Sequence, residues 1–364
     1  MIPQIEPWID NEELEQLERV IQSTFLVEHQ LTREFEEMTR NRTGAQHAVA
    51  VTNGTLALFC CLKALGIGHG DEVIIPDLTF IASANAVIMA GATPIFCDID
   101  AQTFCLDVAK AERLISTKTK AIMPVHLYGQ SADMEAVMGL AEAHGLRVIE
   151  DAAQGVGVTF NGKHVGTFGD FGVLSYYGNK TITCGEGGMI LTDDDALARK
   201  CYRLKNHGRE KKGVFIHEDI GFNFSFTEMQ AAVGIAQMHK LDKIIDRKQN
   251  IHDKYGDALS GIGDLTPTAF DKRCQPVHWF TSFLTDHVED LADFLGARGI
   301  QTRRFFYPLH LQPCYRDILV HRDTFEVSCS AYDRGISFPS SYNLKPEEQE
   351  FIISKIGQFY ENRD

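Results

Sequence analysis

Ser175-Tyr-Tyr-Gly-Asn-Lys180-Thr-Ile-Thr-Cys-Gly-Glu-Gly-Gly188 sets a lysine between an aromatic strand end and a glycine-rich turn. Lysine usually occupies helix faces and outer loops, where its flexible stem costs little. Here Val173-Leu174-Ser175-Tyr176-Tyr177 reads as a short, mostly apolar strand that runs its end into the interior. A lysine held there is partly desolvated, its pKa falls, and its neutral amine can attack a carbonyl. Gly185, Gly187 and Gly188 leave room for something flat or bulky close to the backbone. The competing reading of these residues is a surface lysine in a strand-to-strand turn.

Outward from this stretch the pattern repeats. Ala48–Val51, Glu72–Ile75, Pro94–Cys97, Ala121–Val125, Leu146–Glu150, Val173–Tyr177 and Met189–Thr192 read as strands. Helices are expected over Thr55–Ala64, Ala82–Met89, Val108–Ile115, Met134–His144 and Ala196–Lys205. Short apolar runs alternating with helices imply an α/β fold with a largely parallel sheet covered on both faces. Two helices precede it, one over residues 10–22 and one around Leu31–Thr39. A long helix from about Thr227 to Asp246 follows it as a spine between lobes. The rest mixes strands (Val277–Thr285) with helices (Val288–Ala297, Pro346–Phe359). The expected domains are therefore 1–245, with the helical N-terminal segment, and 246–364.

Ligands of open α/β sheets sit beyond the carboxyl ends of the parallel strands. After Val51 comes Thr52-Asn53-Gly54-Thr55 and a helix start, whose free N–H groups suit a phosphate. An ordinary N-cap by Asn53 or Thr55 explains the same residues. After Pro76 comes Phe80, an aromatic at the pocket mouth or a core ring. After Ile149 come Glu150 and Asp151, and Gln154 follows; a carboxylate at a buried strand end is costly unless it meets a positive partner. A phosphate cradle, a flat aromatic, a buried carboxylate and a buried lysine together fit pyridoxal phosphate (PLP).

Composition bounds the answer. The 364 residues, 44% hydrophobic, can bury a large core. No run approaches the roughly 18 apolar residues of a membrane helix, and Met1–Pro7 carries no signal-peptide pattern. Nine cysteines without a C-x-x-C pair argue for reduced thiols in the cytoplasm and against a zinc site. The net charge of −15 argues against nucleic acid while leaving room for a local basic patch.

Over nearly its whole length the chain resembles PLP enzymes of fold type I, and among them the DegT-type nucleotide-sugar aminotransferases. The resemblance is strongest at Asn53–Leu58, Gly70–Pro76, Thr79–Asn85, Gly91–Pro94, Pro124–Gly129, Ile149–Gln154, Gly178–Thr183 and Gly185–Met189. It implies Lys180 as the lysine bonded to the cofactor, Asp151 at the pyridine nitrogen and Gln154 near the ring hydroxyl. It places Phe80 on the ring, and Asn53, Gly54, Thr55 and Ser175 around the phosphate. It also implies a homodimer in which Asn223, in Gly221-Phe-Asn223-Phe, reaches the neighbour's phosphate. Gly178–Thr183 with Phe306-Tyr-Pro-Leu-His310 resembles the perosamine-synthase branch, which aminates carbon 4 of GDP-4-keto-6-deoxymannose with L-glutamate for surface glycans such as O-antigen. UDP- and dTDP-linked keto-sugars are the alternatives. A sugar dehydratase, which carries histidine in place of the lysine, and a non-catalytic regulator are the remaining readings. Phe25, Glu28, His29, Glu186, Ser225 and His310 are the expected sugar-side residues. Ser225 stands where relatives carry arginine, and Phe25-Leu-Val-Glu28-His29 departs from their tryptophan-led segment. Arg303, Arg304 or the basic run Arg203–Lys212 are candidates for the diphosphate. No metal site, membrane contact or nucleic-acid partner is expected.

Overall fold

The periodic apolar runs fold as seven strands of one sheet: β1 (His47–Val51), β2 (Glu72–Pro76), β3 (Thr93–Cys97), β4 (Thr119–Ile122), β5 (Arg147–Asp151), β6 (Phe171–Ser175) and β7 (Gly188–Thr192). The computed structural model describes residues 1–211, 213–318 and 322–363. The strands stand in the order β1-β7-β6-β5-β4-β2-β3. Pairing is parallel from β3 across to β6, and β7 runs antiparallel to both β6 and β1. Alternate residues of each strand face two separate apolar layers, as burial on both sides requires. Ile74, Ile122 and Leu174 enter one layer; Ile75, Ile149 and Val173 enter the other.

Helices α1 (Asn11–Ser23) and α2 (Gln30–Thr43) precede the sheet. Between and after the strands run α3 (Gly54–Ala64), α4 (Ala82–Ala90), α5 (Val108–Leu114), α6 (Met134–His144) and α7 (Asp195–Lys205). The strand expected over Val173–Tyr177 lies two residues earlier. Its ladder with β7 ends at the Ser175–Gly188 pair, and the chain then turns off the sheet.

The spine helix α8 (Glu228–Leu259) starts at a capping box formed by Thr227 and Gln230. It continues well past the expected end at Asp246, because Ile251, Tyr255 and Leu259 carry its apolar stripe into the core of the smaller lobe. A boundary at 245 therefore falls inside one helix shared by both lobes. The smaller lobe is an antiparallel sheet of β8 (Thr266–Pro267), β9 (Thr281–Leu284), β10 (Arg303–Arg304) and β11 (Gly335–Phe338), in the order β8-β9-β11-β10. Helices α9 (Val288–Gly296), α10 (Glu326–Arg334) and α11 (Pro346–Glu361) accompany it. The chain's start joins this lobe, with Ile2 bridged to Ile300. The expected strand Val277–Thr285 begins only at Thr281, since Trp279 N–H turns back to the Val277 carbonyl at 2.6 Å.

Two histidines are buried as neutral bases. Removal from water pulls His164 down to about 4. Burial, helped by neighbouring His252 and Lys248, pulls His278 down to about 3. His278 stacks on His252 with ring centres 3.7 Å apart. Unfolded imidazole titrates near pH 6.5, so below that the unfolded chain binds more protons than the fold. The contribution is fully present above pH ~6.5 and is lost as the pH falls toward these depressed values, at about 1.4 kcal/mol per pH unit per group. We expect the urea midpoint to fall between pH 7 and pH 4.5, with a shallower fall in a folded His278→Asn variant. An identical slope in the variant would show that His278 does not carry this penalty.

Candidate active site

β5 ends in two carboxylates that point to opposite faces, as strand alternation requires. Glu150 is consumed by the fold. It accepts hydrogen bonds from the N–H groups of Gly166 (2.7 Å), Phe168 (2.6 Å) and Gly169 (2.9 Å), and lies 3.0 Å from His126 Nε2. Asp151, also buried, accepts from the Ser83 hydroxyl at 2.7 Å and the Ala153 N–H at 3.1 Å. Ser83 in turn sits 3.3 Å from the Thr79 hydroxyl, so α4's first turn orients the carboxylate.

Lys180 lies past the end of β6, where its N–H closes a turn onto the Tyr177 carbonyl at 2.9 Å. Burial of the amine lowers its pKa to about 8. Asp151 opposes that shift and the positive charge of Arg303 adds to it. The Lys180 Nζ rests 4.2 Å from the centre of the Trp279 ring. Trp279 stacks on Phe280 at 3.8 Å, and the Arg303 guanidinium lies 5.3 Å from the Phe280 ring. Two cations thus bracket a pair of stacked rings.

Asn53 caps α3 by accepting the Leu56 N–H at 2.9 Å. The N–H groups of Gly54 and Thr55, first in the helix, have no intrahelical acceptor. A side chain at Gly54 would press on Ser175, its Cβ 3.2 Å from that of Ser175, so glycine lets the helix start meet the end of β6. Ser175 is buried, and its hydroxyl accepts from the Tyr177 N–H at 3.3 Å. Gln154 Oε1 accepts the Tyr128 N–H at 2.6 Å, leaving its amide NH2 as a donor. Tyr128 holds a left-handed φ of 54° and its hydroxyl accepts from the Phe306 N–H at 2.9 Å. Phe80 follows β2 and is 54% exposed, its ring 5.9 Å from that of Phe306.

Of the expected sugar-side residues, Phe25, His29, Glu186 and Ser225 gather around the start of α8, while His310 lies elsewhere. His29 stacks on exposed Phe25 at 4.5 Å, and its N–H donates to Glu228 at 2.8 Å. Glu28 is buried and ion-paired with Arg33 and, at 3.0 Å, with Lys205, which ties it between α2 and α7. Glu186 is exposed, and its carbonyl accepts from Gln230 at 2.6 Å. His310 is an inter-lobe anchor, with Nδ1 2.7 Å from buried Asp77 and its ring stacked on Phe325 at 4.2 Å. Asn223 is exposed and its backbone pairs with Asn206, while Ser225 pairs with Val51. Arg203 is committed to Asp219 at 2.8 Å, and Lys212, at the end of that basic run, lies outside the described residues. Arg304 pairs with Glu289 at 2.8 Å, whereas Arg303 has no ion pair among the described residues. Tyr128, Trp279 and the role of Ser83 were not singled out from the sequence. Ser83 lies in the quoted Thr79–Asn85 segment, but Trp279 carries no local signal beyond a run that reads as strand.

Residues 7–357 match the DegT/DnrJ/EryC1/StrS aminotransferase family. The chain belongs to that family. It is 38% identical to GDP-perosamine synthase of Vibrio cholerae, with 99% of each chain covered. It is 39% identical to GDP-perosamine synthase of Escherichia coli O157:H7, over 100% of this chain and 99% of that one. Among solved structures, DesV of S. venezuelae in complex with a ketimine intermediate superposes with a TM-score of 0.93 at 32% identity, covering 99% of both chains. Near the carboxyl ends of β5 and β6 the buried Asp151 carboxylate and the desolvated Lys180 amine lie close enough to interact electrostatically.

Asp151→Asn keeps the hydrogen-bonding shape but removes the charge. We expect a folded protein whose turnover falls on the order of a hundredfold or more. Wild-type turnover would reduce Asp151 to a strand-end cap.

Proposed function

We propose that this protein uses PLP to transfer the amino group of L-glutamate to a nucleotide-linked keto-deoxy sugar. The best-supported acceptor is carbon 4 of GDP-4-keto-6-deoxymannose, giving GDP-perosamine for O-antigen or another surface glycan. One observation carries the chemistry: a lysine held near pKa 8 beside a buried carboxylate, at the carboxyl ends of β5 and β6. The two GDP-perosamine synthases, matched end to end, support the choice of sugar. A PLP sugar dehydratase is disfavoured by Lys180 itself.

The residues present fit the cofactor. The uncapped first N–H groups of α3 suit a phosphate. Beside them Thr52 Oγ1 is buried and without a hydrogen-bond partner among the described residues. Asp151 would hold the proton of a pyridine nitrogen, backed by Ser83 and Ala153. The Gln154 amide is free to donate, and Phe80 offers an exposed ring face. When bound, PLP supplies an electron sink that lets an amine pass from amino acid to ketone. Lys180 then acts as the proton carrier. An amine with a pKa near the working pH can both take a proton and return it, which an ordinary lysine near 10.5 does poorly. Arg303, without an ion pair among the described residues, is a candidate for an anionic substrate group.

A shared site in a homodimer completes the reading. Phe25, Leu26, Val27, Phe215, Ile216, Ile220 and Met229 are exposed large hydrophobics. Val27 bridges Thr227 and the Glu228 N–H bonds the Leu26 carbonyl, so two of these segments adjoin. Asn223 lies between Ile220 and Met229 in sequence, on a stretch that suits a second copy of the chain. Free thiols at all nine cysteines, and the absence of any described helix long and apolar enough to cross a membrane, are compatible with a cytoplasmic site of action.

Incubation with glutamate and GDP-, UDP- and dTDP-linked 4-keto-6-deoxy sugars, read by mass shift, tests the substrate. Amination of the GDP sugar is expected, and turnover confined to UDP or dTDP sugars would overturn that choice. Because Ser225 stands where the resemblance implies an arginine, we expect a sugar preference that is either relaxed or shifted to another keto-sugar; exclusive GDP-sugar turnover unchanged by Ser225→Arg would count against this. The shared site is tested by mixing Lys180→Ala with Asn223→Asp subunits, each poorly active alone. If Asn223 serves the neighbour, one site of each mixed dimer carries neither lesion and activity returns. If it serves its own chain, nothing returns.

A further inference from the structure

We propose that Trp279 is the positioning residue for Lys180, holding both the backbone before the lysine and the amine at its tip. This rests on the assignment of Lys180 as the cofactor lysine and goes beyond it by naming what aims the side chain.

Trp279 makes two contacts with one short segment. Its indole N–H donates to the Asn179 carbonyl at 2.7 Å, which fixes the residue just before Lys180. Its ring face lies 4.2 Å from the Lys180 Nζ. A ring face attracts an ammonium while offering no acceptor that would trap the neutral amine. Trp279 comes from the stretch just before β9, packs in one apolar layer of the main sheet, is 1% exposed, and is itself tightly held. Phe280 stacks on it at 3.8 Å, and its carbonyl accepts from buried Lys248 at 3.1 Å. Its N–H turns back to Val277, whose own N–H donates to the Gly129 carbonyl at 3.0 Å. Gly129 has φ +84°, and a Cβ there would lie 1.7 Å from the Val277 carbonyl oxygen. The backbone that carries Trp279 is therefore packed directly against the 126–130 turn, the same turn that Gln154 holds through Tyr128. A flexible four-carbon side chain loses much of its freedom only if something seats its tip, and Trp279 seats it from a rigid base.

The test separates aiming of the lysine from shaping of the pocket. Pyridoxamine phosphate has no aldehyde, so it reports the phosphate and ring contacts without the lysine. PLP followed by borohydride, with mass analysis of the peptide spanning 175–188, reports covalent capture by Lys180. In the folded Trp279→Phe variant, which keeps a ring but loses the indole N–H, we expect pyridoxamine phosphate affinity within about threefold of wild type. The rate of covalent capture of PLP should fall tenfold or more. In a Lys180→Ala background, Trp279→Phe should leave PLP affinity unchanged, because the residue it aims is gone. Equal losses for both ligands, a further loss in the Lys180→Ala background, or undiminished capture would each overturn the proposal. If Trp279→Phe does not fold, Trp279→Tyr carries the same comparison.

Discussion

Burying an amine and a carboxylate together is the constraint around which this protein is arranged. Either charge alone would be neutralised by the interior, since removal from water costs several times what a surface pair returns. Here the two are not merged into a structural salt bridge. Asp151 accepts from a hydroxyl and a backbone N–H, so its hydrogen bonds do not depend on Lys180. Lys180 is left with desolvation, a carboxylate on one side and a guanidinium beyond a ring stack on the other. The balance leaves an amine that changes protonation near neutral pH, which a tight ion pair would forbid.

Adjacent residues show how finely strand geometry sorts this. Glu150 and Asp151 are chemically near twins, yet the pleat sends one into a loop of three N–H donors and the other toward Ser83. Sequence alone reads both as candidate carboxylates. The large lobe was legible because its information is local. Apolar runs of four or five, glycine turns and N-caps such as Asn53 mark β1 to β7 within three residues, the widest miss being β4, expected to run to Val125 but ending at Ile122. The strand-end rule then delivers Lys180, Asp151, Gln154 and Asn53 to one region without knowledge of packing.

What stayed illegible depends on partners distant in sequence. Glu28 looks in sequence like a site acid, but Arg33 and Lys205 claim it where α2 and α7 meet. His310 sits in a motif that resembles sugar-binding relatives, yet Asp77, far upstream, fixes its ring between the lobes. The extent of α8 was misjudged for the same reason: its second half has an apolar stripe only because a second lobe is there to meet it. Trp279 is the sharpest case, since its two contacts with Asn179 and Lys180 cross a hundred residues of chain.

That last separation bears on what the chain beyond α8 supplies. The large lobe supplies every charged group of the candidate centre except Arg303, and the sheet alone could place them. The turn after β6 is also tied to α8, by the Thr183 N–H on Gln237 and by Gln230 on the Glu186 carbonyl, but neither bond reaches the lysine's tip. Segments that follow α8 in the chain and pack on the main sheet close this gap with stiff contacts: the Gly129–Val277 approach, the Tyr128 hydroxyl on the Phe306 N–H, and the indole of Trp279 on Asn179. Each runs through backbone atoms, which tolerate little displacement before the hydrogen bond is lost. A displacement of the 277–280 stretch would therefore be felt at Asn179 and Lys180, the two residues that Trp279 touches.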